Sequence, residues 1–254
     1  MKKSILLIFI VFCSLQLIAQ NNDEFTGIAN YSIRLAGDIF LFDGKLIFTS
    51  TESFFVYKQN KDKRWIKESD DRMKGQLVIT DSNGYQIYTD LRNKKMKVRE
   101  ICRVDQALIY SDSVNIKWQL EDEQKIIKGL KCGKAQGHFR GRDYIAWYAL
   151  DIPSSAGPWK FNGLPGLIIK VEESKNEVFI VLSSLKMEEN IKIPHLASGT
   201  EMSLQGFLKN MEASYEEEFI KNAAAINQLQ SEFPDIEINN AMPQKRPVTE
   251  LNYK

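Results

Sequence analysis

From Ile28 to Leu35 the chain alternates: Ala29, Tyr31, Ile33 and Leu35 stand against Ile28, Asn30, Ser32 and Arg34. A period of two marks a strand with one wet face. VNIKWQL repeats the pattern more cleanly, with Val114, Ile116, Trp118 and Leu120 set against Asn115, Lys117 and Gln119. Around these lie LIFTSTESFFVY, QLVIT, YQIYTD after the turn residues Asp81-Ser82-Asn83-Gly84, then KKMKVREICRV, ALIYSD and DEQKII. The connections are hairpin-length, whereas parallel neighbours need crossovers of a dozen or more residues, so antiparallel pairing is expected.

After Gly141 the pattern changes. In DYIAWYAL one face carries Tyr144, Ala146, Tyr148 and Leu150 and the other Ile145, Trp147 and Ala149, and neither is polar. LIIKV and EVFIVLSSL continue the theme. Strands apolar on both sides need cover on both sides. One cover is at hand: Leu204, Phe207, Leu208, Met211, Tyr215, Phe219, Ile226 and Leu229 form one stripe of a long helix over about 203–232. Thr200 and Ser203 supply capping chemistry before it and Pro234 a stop after it. The triplet Glu216-Glu217-Glu218 reads as its solvated face. Residues 239–254 hold two prolines and few apolar side chains and read as a loosely ordered tail.

Between two of the doubly apolar strands lies GPWKFNGLPGLIIKV. Leu164-Pro165-Gly166-Leu167 fits a type II turn, in which proline presets φ at the second position and glycine accepts a positive φ at the third. Trp159 and Phe161, two apart, point the same way if the piece is extended. Two arrangements follow. In one, the two rings plug the end of a curved sheet. In the other, the loop is the mouth of an apolar pocket between sheet and helix, with Trp147, Tyr148, Trp159 and Phe161 touching a guest.

Trp147-Tyr148, Ile152-Pro153, Gly157-Pro158-Trp159-Lys160-Phe161 and Gly163-Leu164-Pro165-Gly166-Leu167-Ile168 come in an order that resembles the GLPGLI family of Bacteroidetes secreted proteins. Gly129 to Ala135 and Phe139-Arg140-Gly141-Arg142 are similar to that family's lead-in. The resemblance spans roughly residues 95 to 190. It implies a periplasmic or outer-membrane-associated protein of a diderm bacterium, in a family to which no catalytic residues are assigned. Cys102 stands outside the family pattern.

The N-terminus agrees with that setting. Lys2 and Lys3, the apolar stretch Ile5 to Ile18 and the small Ala19 read as a cleavable leader over 1–19. The stretch falls short of the roughly 20 apolar residues of a spanning helix. Phe12 before Cys13 is too bulky for lipoprotein processing. The 34 basic residues less Lys2 and Lys3 leave 32 against 33 acidic, a balance with no electrostatic case for nucleic acid. No later apolar run approaches spanning length, so no transmembrane span is expected in the mature chain. One domain is expected over 20–238. Cys102 and Cys132 are either bridged or two inert thiols, and the strands expected between them argue for the thiols.

Chemistry-bearing motifs are few. The chain has no G-x-S-x-G, H-E-x-x-H, G-x-G-x-x-G or P-loop spacing. His138 and His195 are too far apart in sequence to suggest a metal pair. Cys132 and His138 on one strand face would sit about 20 Å apart. Arg140 and Arg142 could hold a carboxylate or phosphate ligand, or pair internally with Asp143, Asp151 or Glu172.

The expected fold is α+β, an antiparallel, strongly curved sheet or incomplete barrel packed on a long C-terminal helix, a plan that by analogy looks like periplasmic lipoprotein carriers. The expected function is a non-enzymatic, cofactor-free binding or carrier protein at the periplasm or outer-membrane periphery. Its ligand would be an apolar molecule, lipid or peptide. The alternative is an accessory subunit of an outer-membrane transport or secretion assembly, docking on an outer-membrane protein through Gly163 to Ile168; an envelope hydrolase comes third.

Overall fold

The computed structural model describes residues 25–35, 40–60, 65–67, 73–75, 81–103, 106–188 and 191–232. The leader 1–19, the stretch QLVIT and the tail 239–254 lie outside the described residues. The first strands are β1 (Thr26–Leu35), β2 (Phe40–Phe48), β3 (Glu52–Gln59), β4 (Trp65–Lys67), β5 (Met73–Gly75), β6 (Tyr85–Asp90), β7 (Lys95–Arg103) and β8 (Gln106–Asp112), of which β4 and β5 lie outside the segments expected from alternation. There follow β9 (Gln119–Ile127), β10 (Leu130–Phe139), β11 (Arg142–Ala149), β12 (Ile168–Glu173), β13 (Val178–Glu188), β14 (Thr200–Met202) and the helix α1 (Leu204–Glu232). Apart from the small β4-β5 pair, all strands join one open sheet in the order β14-β8-β7-β6-β3-β2-β1-β13-β12-β11-β10-β9. Every pairing in it is antiparallel except β14 on β8.

Two expected strands are corrected. LIFTSTESFFVY turns over within itself: Thr49 Oγ1 accepts the amides of Thr51 and Glu52, making a hairpin of β2 and β3. VNIKWQL joins no ladder before Gln119; residues 113–118 are an extended connector whose Val114 and Ile116 are buried and whose Asn115 and Lys117 are exposed.

That connector proves the curvature. It carries the chain from β8 to β9, which are ten strand spacings apart in the sheet, roughly 48 Å if the sheet were flat. Six residues reach at most about 20–25 Å, so the sheet must curl until its ends approach. A side-chain contact agrees, since Arg140, just past β10, bonds Asp112 at the end of β8 at 2.6 Å.

The helix meets the sheet near its first turns. Ser203 caps it, its Oγ accepting the Gly206 amide at 3.1 Å. Phe207 enters the core and stacks on Tyr110 with centroids 4.2 Å apart, while Leu204, Leu208 and Met211 pack partly against the core. The contacts of α1 with the sheet lie on β7 and β8, not on the doubly apolar strands.

Those strands are buried on the concave face and only partly covered on the convex one. On the concave side Tyr144, Ala146, Ile169 and Val171 belong to the core. On the convex side Trp147 is 3% exposed because the Lys125 ammonium lies 3.5 Å from its ring centroid. Arg34 covers Phe179 at 4.1 Å, with Lys170 beside it. Long cationic stems spread over apolar surface provide the second cover.

Candidate functional site: the plug and the outer groove

The connection between β11 and β12 folds back into the concave face. Its backbone closes on itself and on the strands through Ala149 N to Leu167 O at 2.8 Å, Gly163 N to Ser155 O at 2.9 Å and Ile168 N to Ala156 O at 3.1 Å. Side chains fasten it from outside: Ser154 Oγ donates to Thr49 O, Trp118 Nε1 to Asn162 O and Tyr31 Oη to Ile168 O at 2.7 Å. Burial pushes the Tyr31 phenol far above its ordinary pKa, so it remains a donor.

The plugging arrangement is the one formed. Phe161 is 1% exposed and meets Tyr144 edge-on at 4.8 Å and Trp159 at 5.2 Å, and Phe139 packs against Phe161 and Trp159. The void beside Trp159 measures about 20 Å³, room for one water and no guest. Trp159 holds φ at +53°, a left-handed conformation costly for a bulky residue.

The turn expectation needs correction. Gly166 is not among the positive-φ glycines; the one at φ +91° is Gly163. Gly166 is required for a different reason, since a Cβ there would stand 1.8 Å from the Ala149 carbonyl oxygen.

Of the other residues expected at a site, Trp147 faces outward under Lys125, and Tyr148 lies against Gly133. Arg140 and Arg142 pair internally, but not with the carboxylates expected: Arg140 goes to Asp112, and Arg142 to Glu177 and, at 3.8 Å, to Glu173. His138 Nδ1 lies 2.7 Å from Asp143 on the exposed surface. Cys132 is a free buried thiol, and burial raises its pKa. Among the described residues no cluster of three or more His, Cys, Asp or Glu could hold a metal ion.

Sequence reasoning passed over two features. Lys160 is fully buried, with Nζ 3.0 Å from Asp112 Oδ2 and 3.2 Å from Tyr110 Oη. Burial works to raise the Asp112 pKa, but Lys160 and Arg140 together outweigh it and hold the carboxyl below its ordinary value. The second feature is a groove of about 520 Å³ on the outer face, lined by Tyr88, Lys97, Ile109, residues 195–199 and Glu201. Arg99 ties this segment to the sheet by donating to Ser198 O, and Gln86 Oε1 accepts the Ala197 amide. The hydrogen bond from Tyr88 to Glu52, with burial, pushes the phenol's pKa up to about 12. Neither feature has a local sequence signal.

The family model described as "Protein of unknown function (Porph_ging)" matches residues 140–170. Those residues are a GLPGLI-type segment. The match covers the end of the β10 hairpin, β11, the plug and the start of β12. No curated protein matches the chain. Among solved structures, PNGF-II in a C2 crystal form aligns with TM-score 0.53 and 15% identity, covering 75% of this chain and 33% of that one. A P21 form gives 0.54 and 14%, with 75% and 34% covered. At such identity the likeness is one of fold, and this chain spans about a third of those structures' length. Among the described residues no helix is long and apolar enough to cross a membrane.

Proposed function

We propose that this is an exported, non-enzymatic binding protein of the periplasm or outer-membrane periphery that takes its ligand or partner on the outer groove rather than inside the sheet. The observation that carries the reading is a contrast of space. The concave face is filled by Trp159, Lys160 and Phe161, leaving about 20 Å³ beside Trp159, while the groove by 195–201 offers about 520 Å³. That volume falls in the range of small-molecule sites. Its walls combine the apolar Ile109 with the ammonium of Lys97, the carboxylate of Glu201 and the imidazole of His195. Export is supported by Lys2, Lys3 and the apolar stretch to Ile18, and by the GLPGLI-type segment. Docking through the hexapeptide is less favoured, because only Gly163 and Pro165 of it are exposed.

The test is native mass spectrometry of the full chain purified from a diderm envelope, beside Lys97→Ala and His195→Ala. An adduct or partner present on the wild type and lost from both variants supports the reading. A wild type that carries nothing, or variants that retain the same species, overturns it. N-terminal sequencing should find the mature chain starting near Gln20; a retained Met1 in a cytoplasmic fraction rejects export.

A further inference from the structure

The last strand of the sheet is β9, so its outward backbone groups have no strand partner among the described residues. It runs for nine residues, Gln119–Ile127, and nearly all are exposed, including Leu120 at 54% and Ile126 at 68%. An edge of that length with two bare aliphatic side chains is a template for strand addition unless something covers it.

We propose that β9 is a self-pairing edge, at which two copies of this chain join antiparallel about a two-fold axis through Glu123. Laying QLEDEQKII against itself in that register sets Leu120 opposite Ile126 and Glu121 opposite Lys125, twice over by symmetry. Moving by one residue would bring side chains from opposite faces together. Moving by two would set Leu120 against Gln124 or Lys128 and lose the apolar match, although the second of these shifts sets Glu123 against Lys125. Only the register through Glu123 joins apolar to apolar and acid to base, the cross-strand pairs that stabilise a sheet.

Three details of the edge fit. The Lys125 ammonium rests on Trp147 and has no carboxylate partner among the described residues, so Glu121 of a second copy would supply one. Leu120 lies opposite Ala135 and Ile126 opposite Lys131, positions of the same parity on β10, so both aliphatic side chains leave the same face. The one clash, Glu123 against its own symmetry mate, is already offset because Lys134 holds Glu123 at 2.8 Å and Glu121 at 3.0 Å. The pairing of β9 with β10 skips Asp122 and Glu123. That kink falls at the axis and leaves regular arms on both sides.

Light scattering of the leaderless chain over a wide concentration range should show the mass doubling. Leu120→Lys and Ile126→Lys should abolish the dimer. Glu121→Lys and Lys125→Glu should each weaken it by about tenfold or more, and the double swap should restore it, which a general loss of stability would not do. Glu123→Cys should oxidise to a covalent dimer, since directly opposed residues lie within disulfide reach. Glu121→Cys should not, because its symmetry mate would be about 14 Å away. A wild type that stays monomeric at the highest concentration, a dimer indifferent to the lysine variants, or a double swap no better than the single ones overturns the proposal. So does a Glu123→Cys chain that crosslinks only to a different protein, which would mark the edge as a site for a foreign strand.

Discussion

The ammonium of Lys160 lies 3.0 Å from the carboxylate of Asp112, 48 residues away, and both side chains are shut off from water. The pair fixes the plug to the end of β8, and Arg140 closes it from β10. Removing one member of such a cluster leaves a buried charge short of its partner. Lys160→Met should therefore cost about 3–5 kcal/mol in denaturant unfolding.

The same cluster sets an acid limit. The Asp112 pKa is lowered in the fold, so the unfolded chain takes up that proton more readily. Its contribution is in place above the unfolded carboxylate value of about 3.9 and is lost as pH falls through the folded value. In Lys160→Met one of the two balancing charges is gone while Arg140 and burial remain, so acid unfolding should begin at higher pH. A thermal-melt series against pH reads this; parallel acid limbs for wild type and variant would contradict it.

Phe161→Ala should lose about 3–5 kcal/mol, because the ring sits among Tyr144, Trp159 and Phe139 with no room to refill. Equilibrium unfolding followed by near-ultraviolet circular dichroism would report it.

Gly166→Ala and Gly163→Ala should separate two uses of glycine. At Gly166 the new methyl would overlap the Ala149 carbonyl, so the plug must shift and the chain should express poorly or unfold early. At Gly163 nothing lies within 4 Å of an added Cβ, and the penalty is the left-handed φ alone, about 1–2 kcal/mol. Matched melting temperatures for the two variants would refute the distinction.

Cys132 should resist alkylation in the folded protein, being buried with its thiol pKa raised. Peptide mapping after labelling with and without denaturant checks this, and ready labelling of the native chain would contradict it.

The strands were largely legible because alternation reports which side chains are covered. It does not report where backbone hydrogen bonds go. Val114 and Ile116 are buried as the pattern of VNIKWQL demands, yet the segment pairs with nothing until Gln119. The stripe from Leu204 to Leu229 suggested a cover for β11 to β13, but a stripe cannot say what it faces, and the helix meets β7 and β8 instead. The cover over Trp147 comes from Lys125, a residue that by itself reads as solvated. The plug was readable as one of two arrangements. The ion cluster inside it was not, since Asp112 and Lys160 meet only once the sheet has curled. The outer groove likewise depends on Arg99 reaching Ser198 across 99 positions of chain.

Because Tyr31 lies opposite Leu182 and Thr26 opposite Glu188, the first of the described strands is flanked on one side by the last long one. Its inner edge must wait while some 150 further residues are synthesised. Before then β1 is an unfinished edge rich in aliphatic side chains. A chaperone that holds nascent chains should find its grip there, and truncations ending before Val178 should aggregate rather than fold.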